Sequence, residues 1–249
     1  MICPADATDP AALAVIIPAR DEAEGLRRLL PEVRAAVDGL RRRCEVIVVD
    51  DGSRDATPDV VTEAAGRPGP EVRLVRTSPR GQSAAMAAGV AATAATLVAF
   101  LDADGQNDPA EIPGLLEELE RHGVDLVQGD RTASRCDGAH RRLASWIGRI
   151  ARRVLLGDPT RDTGCTLRVG RRDLLAVIPL HEDGMHRFVP AMVAAAGGRV
   201  REVPVSHRPR VGGRTHYRAF GRGLAGLRGC RRVIAWRTGD PVSRTLPAG

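Results

Sequence analysis

Phe100-Leu101-Asp102-Ala103-Asp104-Gly105-Gln106-Asn107-Asp108-Pro109 is the stretch from which the fold of this chain can be read. The apolar run Ala95 to Leu101 has the make-up of a buried strand, and it stops abruptly at two carboxylates one residue apart. Where a strand ends the backbone leaves the sheet and can turn, so both carboxylates can converge on one ion. Hard divalent cations such as Mg²⁺ or Mn²⁺ take oxygen ligands and share coordination with substrate phosphates. A metal–diphosphate site is therefore one reading. The other is a polar loop before a helix, with Asp108 as N-cap and Pro109 in the first turn. The flanking sequence decides between them.

Upstream, Leu13 to Pro18 reads as a short apolar strand ending in Arg20-Asp21-Glu22, followed by a helix to about Val37 with Leu26, Leu29, Leu30, Val33 and Val37 as its buried stripe. Glu45 to Val49 is a second strand, continuously apolar as in a sheet covered on both faces, and it ends in Asp50-Asp51-Gly52-Ser53. A helix near Thr57 to Ala65, a strand at Val72 to Arg76 and a small-residue helix from Gly81 to Ala94 lead to the central stretch. Downstream come a helix from Pro109 to His122 and a strand from Val124 to Gln128, with Asp130-Arg131 beyond it. Strand–helix alternation at this spacing predicts an α/β fold, a mostly parallel central sheet flanked by helices. In such sheets ligands bind at the carboxyl ends of the strands. Polar clusters stand there after the first, second, fourth and fifth strands, which favours the site over the solvated loop.

The second half is less regular. Arg141 to Leu156 reads as an Arg-studded helix, Asp162 to Val169 as a loop and short strand, Met185 to Ala196 as a helix and Val200 to Val205 as a strand. The expected organisation is a leader at 1–12, one domain over 13–217 (13–130 and 131–217 being its halves) and a basic Gly/Arg-rich tail at 218–249. Phe220, Leu224, Leu227 and Ile234, with Arg222, Arg228, Arg231 and Arg232, could make that tail an interfacial helix, although its glycines equally suit disorder.

The chain has 249 residues and a formal net charge of +6, and every cationic Lys/Arg position is Arg. Arg forks suit phosphate oxygens, and a basic balance suits an anionic partner. Aromatic residues make up 2% of the sequence, which argues against a nucleic-acid surface, where bases stack on aromatic side chains. Five scattered cysteines without metal-ligand spacing suggest a reducing compartment. With no basic-then-apolar leader and no spanning segment, the expected location is cytoplasmic, with peripheral contact on the inner face of a membrane.

Three motifs in order, Val15-Ile16-Ile17-Pro18-Ala19-Arg20-Asp21-Glu22, Val48-Val49-Asp50-Asp51-Gly52-Ser53 and Leu101-Asp102-Ala103-Asp104-Gly105-Gln106-Asn107-Asp108-Pro109, resemble family 2 glycosyltransferases of the GT-A fold, and most nearly the dolichyl- and polyprenyl-phosphate hexose synthase branch. The resemblance implies a nucleotide-diphosphate sugar partner, an inverting transfer and a Mg²⁺ or Mn²⁺ cofactor. It implies nucleotide-sugar contacts from Pro18, Ala19, Arg20, Glu22, Asp50 and Ser53, and metal ligands at Asp102, Asp104 and Gln106. Gly81-Gln82-Ser83 resembles the Gly-rich turn before the third helix, which adds Gln82. Gly129-Asp130-Arg131 and His140-Arg141-Arg142-Leu143-Ala144-Ser145 resemble segments in which Arg131, Arg141 and Ser145 would grip a phosphate. Asp162-Thr163-Gly164-Cys165-Thr166-Leu167-Arg168 resembles a further family segment, with Cys165 read as packing. Arg208 to Tyr217 resembles a loop that closes over the diphosphate, implying Arg210, Arg214 and His216. Thr215 and His216 depart from the Ser-Lys usual there. His186 reads as structural.

The acceptor sets the remaining chemistry. A phosphate monoester is already anionic near neutral pH and needs only positioning. A sugar hydroxyl needs a carboxylate base, and Glu182 and Asp183 stand where related enzymes carry one. The Arg-rich stretch 131–153 tilts the expectation toward a polyprenyl phosphate. A sugar-phosphate nucleotidyltransferase is disfavoured, because no N-terminal Gly-rich run is followed by a basic residue. A basic nucleotide- or RNA-binding module is the non-enzyme alternative.

Overall fold

A computed structural model describes residues 12–40, 42–133, 139–208 and 222–239, with side chains described for all of these except 139–147 and 222–225. The strands are β1 (Leu13–Ala19), β2 (Cys44–Asp50), β3 (Glu71–Arg76), β4 (Leu97–Phe100), β5 (Leu126–Asp130), β6 (Arg168–Arg171) and β7 (Val200–Pro204). The helices are α1 (Ala23–Asp38), α2 (Thr57–Ala65), α3 (Gln82–Ala91), α4 (Ile112–His122), α5 (Ala139–Leu156), α6 (Arg172–Val177), α7 (Val189–Ala195) and α8 (Arg222–Thr238). The strands form one sheet in the order β3-β2-β1-β4-β6-β5-β7. Every pairing is parallel except those of β6, which runs antiparallel between β4 and β5.

The continuous apolar runs of β1 and β2 are buried along their whole lengths because both faces of the sheet are covered. Leu13, Val15 and Ile17 of β1 face one core with the stripes of α1, α2 and α4. Ala14 and Ile16 face the other, with α3, α6, α7 and α8. Alternate residues of one strand thus serve two helical layers.

Several boundaries differ from the sequence reading. The helix expected from Pro109 to His122 is a 3-10 turn (Pro109–Glu111) followed by α4, and that expected from Met185 to Ala196 is a 3-10 turn (Met185–Phe188) followed by α7. In both, a proline (Pro113, Pro190) sits at the start of the α-helix, where its missing N–H is tolerated. β4 and α3 are shorter than expected, β5 runs on to Asp130, and α6 was unforeseen because six residues are too few to show a helical period. Asp108 caps its turn as expected, accepting a hydrogen bond from Ala110 N–H at 2.9 Å.

Of the two alternatives for the tail, the described part is a helix. This is α8, with Cys230 and Val233 buried in the second core. A Cβ on Gly229 would lie 2.2 Å from Phe188, so this glycine permits close packing of α8 on the Met185–Phe188 turn. Residues 1–11, 209–221 and 240–249, including much of the expected leader and tail, lie outside the described residues.

Candidate active site

The carboxyl ends of β1, β2, β4 and β5 share one edge of the sheet, as the parallel pairings require. Because β6 runs the other way, the segment entering it, Asp158 to Leu167, also arrives at that edge. The antiparallel strand is therefore what brings Asp162, Thr166 and Arg168 to the residues that follow β4.

The first two loops interlock. Asp21, the one non-glycine residue with positive φ (54°) among the described residues, donates its N–H to Ser53 Oγ at 2.9 Å and accepts from Arg54 N–H at 2.7 Å. Glu22 N–H reaches Thr57 Oγ1, and Ala23 N–H reaches Asp55 Oδ2. A strained αL residue survives only where its surroundings over-determine it, and these bonds do so. Pro18, Ala19 and Asp50, expected as ligand contacts, are buried strand-end residues. Ala19 C=O accepts from Asp51 N–H, while Asp50 accepts from Ser53 N–H at 2.8 Å and lies 3.4 Å from Arg76 Nε. In this geometry they shape the loop that the nucleotide contacts are expected to come from. Arg20 is exposed at the rim, 4.0 Å from Asp51. Asp51, to which the sequence reading gave no contact, accepts from Arg80 N–H (2.7 Å) and Gly81 N–H (2.9 Å), fixing the entry to α3.

Gln82 is the first residue of α3, and its Nε2 donates to Asp102 Oδ1 at 2.7 Å, so it orients a carboxylate. Asp104 is buried and accepts from Gln106 N–H at 3.0 Å. Gln106 lies half-buried in the same turn. Gly25 lets this turn approach α1, since a Cβ there would lie 2.5 Å from Ala103 O. Burial first, and the neighbouring Asp104 second, push the Asp102 carboxyl up to about 6, against the opposing effects of a Thr166 hydrogen bond, Arg131 and Arg168. Two oxygen-rich side chains that resist joint ionisation suit a hard divalent cation, which would relieve that repulsion. Among the described residues no cluster of three or more His, Cys, Asp or Glu could enclose a metal. A pair of carboxylates sharing an ion with substrate phosphates fits this better than an all-protein cage.

Two arginines lie buried beside Asp102. Arg131, expected to grip a phosphate, pairs with Asp162 through Nε (2.8 Å) and Nη2 (3.3 Å). Arg168 is 1% exposed and donates to three carbonyls, those of Thr166, Cys165 and His186. Cys165 is fully buried, and burial pushes its thiol up to about 11, in keeping with packing rather than nucleophilic attack.

Glu182 and Asp183 diverge. Glu182 faces α8, 3.5 Å from Arg232 Nε. Asp183 is exposed, and a Cβ on Gly81 would lie 3.7 Å from its Oδ1, so this carboxylate stands beside the entry to α3. The backbone of Arg141 and Ser145 is in α5, but their side chains lie outside the described set, as do Arg210, Arg214 and His216 altogether. Asp162, Thr166 and Arg168 stand in a segment that the sequence reading quoted without giving them roles.

The raised Asp102 carboxyl has a measurable consequence. The folded chain binds more protons than the unfolded one between about pH 4 and 6, so Asp102 contributes stability at low pH that is lost as pH rises through about 6. In EDTA, Asp102→Asn should stabilise the chain at pH 7.5 by on the order of 1–2 kcal/mol once partial exposure is allowed for, seen as a higher melting temperature, with no gain at pH 4. Melts from pH 4 to 8 read this directly, and a gain that did not vary with pH would contradict it.

A profile of the Glycosyl transferase family 2 matches residues 14–178. A dodecaprenyl-phosphate galacturonate synthase of Rhizobium johnstonii is 36% identical over 209 residues, covering 82% of this chain and 61% of the relative. An undecaprenyl-phosphate 4-deoxy-4-formamido-L-arabinose transferase of Edwardsiella ictaluri is 36% identical over 208 residues, covering 82% and 62%. The chain thus spans about three-fifths of the length of these curated relatives. Glucosyl-3-phosphoglycerate synthase of Mycobacterium tuberculosis, solved with Mn²⁺, UDP-glucose and phosphoglyceric acid, superposes with a TM-score of 0.66 at 19% identity, over 92% of this chain and 80% of that one. That likeness is one of fold, the GT-A arrangement.

Proposed function

Because the chain belongs to glycosyl transferase family 2, we propose that it moves a hexose, with inversion, from a nucleoside-diphosphate sugar to a polyprenyl-phosphate-type acceptor. The observation that carries this reading is the Asp102–Asp104 pair at the end of β4, with Gln82 orienting one carboxylate and Arg131 and Arg168 buried beside it. The names of the two similar curated proteins, a dodecaprenyl-phosphate galacturonate synthase and an undecaprenyl-phosphate sugar transferase, support the acceptor class. In the reaction a phosphate oxygen of the acceptor forms a bond to the anomeric carbon. The bond from that carbon to the diphosphate breaks, and the nucleoside diphosphate leaves with the electron pair.

Asp102 and Asp104, with Gln106 on the same turn, would hold Mg²⁺ or Mn²⁺. A divalent cation bound there supplies charge neutralisation for the leaving diphosphate. Gln82 keeps Asp102 aimed, and the buried guanidinium groups of Arg131 and Arg168 favour its ionised form. Arg20, Glu22 and Ser53 border the nucleotide side, and Arg210, Arg214 and His216 are assigned to the diphosphate by their motif. Arg141 and Ser145, with Arg131, are assigned to the acceptor phosphate. An anionic phosphate is already a nucleophile and requires no general base.

A lipid surface as the source of the acceptor has its own support. α5 exposes Ile150, Val154 (76%) and Leu155 beside the exposed Arg153, and its sequence has no acidic residue. Among the described residues no helix is long and apolar enough to cross a membrane. An apolar and basic helix face suits contact with anionic headgroups. The second reading is a hydroxyl acceptor. It is supported by the exposed Asp183 beside Gly81, and on that reading Asp183, rather than the Arg232-facing Glu182, would be the base.

The test is release of nucleoside diphosphate from UDP- and GDP-sugars with Mg²⁺ or Mn²⁺, with and without polyprenyl phosphate in vesicles. The expected result is metal-dependent release stimulated by the lipid phosphate. Stimulation by hydroxyl acceptors alone would replace the acceptor assignment and point to Asp183. No release with any sugar nucleotide from folded protein would remove the catalytic reading.

A further inference from the structure

Ser83 and His186 are both buried, and they join two segments far apart in sequence. Ser83 lies in the first turn of α3, directly after Gln82, and is 1% exposed. His186 lies in the 3-10 turn that follows Glu182 and Asp183, and is 8% exposed. The backbone N–H of His186 donates to Ser83 Oγ at 3.0 Å, while His186 Nδ1 lies 2.8 Å from the same oxygen. An N–H can only donate, so Oγ is the acceptor in the first bond. Its own single proton is satisfied if it donates to Nδ1, which places the imidazole proton on Nε2. Burial first, then Arg187 and Arg168, push the imidazole down to about 3, so the ring is neutral at working pH and keeps this arrangement. On its other side the His186 carbonyl accepts from Arg168 Nη1 at 2.9 Å.

Each end of this linkage touches a different part of the site. Gln82 holds Asp102 at 2.7 Å on the sugar-nucleotide side. The segment preceding His186 carries Asp183, whose carboxylate lies against Gly81, and is held from outside by Arg232, which donates to Asp183 C=O at 2.8 Å. A neutral, doubly bonded Ser–His pair is more than packing requires. Two apolar side chains of the same volume would fill the space without fixing a distance between α3 and the 181–188 segment, whereas two hydrogen bonds to one oxygen fix it.

We propose that Ser83 and His186 are positioning residues, a strut that sets the 181–188 segment against the start of α3 and so governs whether the bound sugar passes to the acceptor or to water. The idea rests on the glycosyl-transfer reading for its catalytic part and on the geometry alone for its mechanical part. A displacement of about 1 Å in a reacting site lowers rate by up to about a hundredfold. Loosening this strut should therefore reduce transfer while leaving sugar-nucleotide binding, which is organised around Asp102 and Asp104, in place.

Ser83→Ala places a better helix former in α3 and removes both bonds at once. The expected result is a fall of about tenfold in kcat for transfer, a KM for the sugar nucleotide within about twofold of wild type, and undiminished hydrolysis, so that the transfer-to-hydrolysis ratio drops. His186→Asn, whose amide oxygen can take the place of Nδ1, should recover more of that ratio than His186→Ala. Amide hydrogen exchange gives a readout independent of any acceptor, with faster exchange across 181–188 in Ser83→Ala expected. Parallel loss of transfer and hydrolysis would overturn the proposal, as would equal ratios for the Asn and Ala variants. Should the wild type transfer nothing, the glycosyl-transfer reading fails, and exchange alone judges the strut: unchanged exchange at 181–188 sinks it.

Discussion

Asp104→Ala should lower kcat/KM for sugar transfer by about a thousandfold or more and leave the fold intact. The effect on rate follows from placement. Asp104 is buried in the turn after β4, accepts from Gln106 N–H, and shares its surroundings with an Asp102 carboxyl that its charge helps push up to about 6. Under the proposed mechanism the loss falls on charge developing at the leaving diphosphate. Removing a single preorganised electrostatic group from such a site costs about a hundred- to a thousandfold, and loss of the ion it holds adds to that. Stability should respond the other way, because the substitution frees Asp102 from a like charge. The measurement pairs steady-state kinetics with a melt in EDTA and a Mn²⁺ titration. Transfer within about tenfold of wild type, with unchanged Mn²⁺ affinity, would show that this carboxylate is not a ligand.

The second large effect is on folding. Asp162→Ala should destabilise the chain by about 3–5 kcal/mol, because it leaves the buried Arg131 guanidinium without its bidentate partner. Asp162 also accepts from the N–H groups of Arg131 and Gly164, so the bend entering β6 loses its internal support as well. For a chain of this size the shift in melting temperature is about 10 °C. Replacing both partners, Asp162→Leu with Arg131→Met, should restore much of that stability while leaving transfer impaired, since removing a buried pair together is far less harmful than stranding one charge. Chemical denaturation of the two single variants and the double variant forms a cycle that reads the coupling. Additive losses would mean that the pair contributes nothing as a pair.

Much of the architecture could be read from the sequence because parallel strands covered on both faces leave a strong trace. The runs Leu13 to Pro18 and Val46 to Val49 are apolar without alternation, and charge follows each. The Asp102–Asp104 pair was legible for the same reason. What escaped is set by long-range packing. β6 is four residues long and antiparallel, and nothing local says that Arg168 will pair with both Phe100 and Gln128. The burial of Arg131 against Asp162 is equally non-local, so the sequence did not show that this arginine has a protein partner. Glycines left the tail undecided between helix and disorder. Gly229 looks like a mark of disorder in a string of residues, yet it is the place where a helix comes within a methyl group of Phe188. Pro18, Ala19 and Asp50 were found by motif, but whether a motif residue presents its side chain or only shapes a turn depends on neighbours such as Ser53 and Arg76 that the motif does not contain.

The placement of β6 also bears on how the chain is made. β1 to β4 have their mutual partners once Phe100 has been made, but the outer edge of β4 has no neighbour until Arg168–Arg171 has been added. β5 fares worse, since both of its neighbours, β6 and β7, come later. At about 5–20 residues per second the ribosome leaves these edges open for seconds. An unpaired edge recruits any strand it meets, including one from another nascent copy. The slot that later receives Arg168, and with it the segment carrying Asp162 and Thr166, is during that interval the part of the molecule most exposed to misassembly. Slower production or a holdase chaperone would act there, before any catalytic residue has found its place.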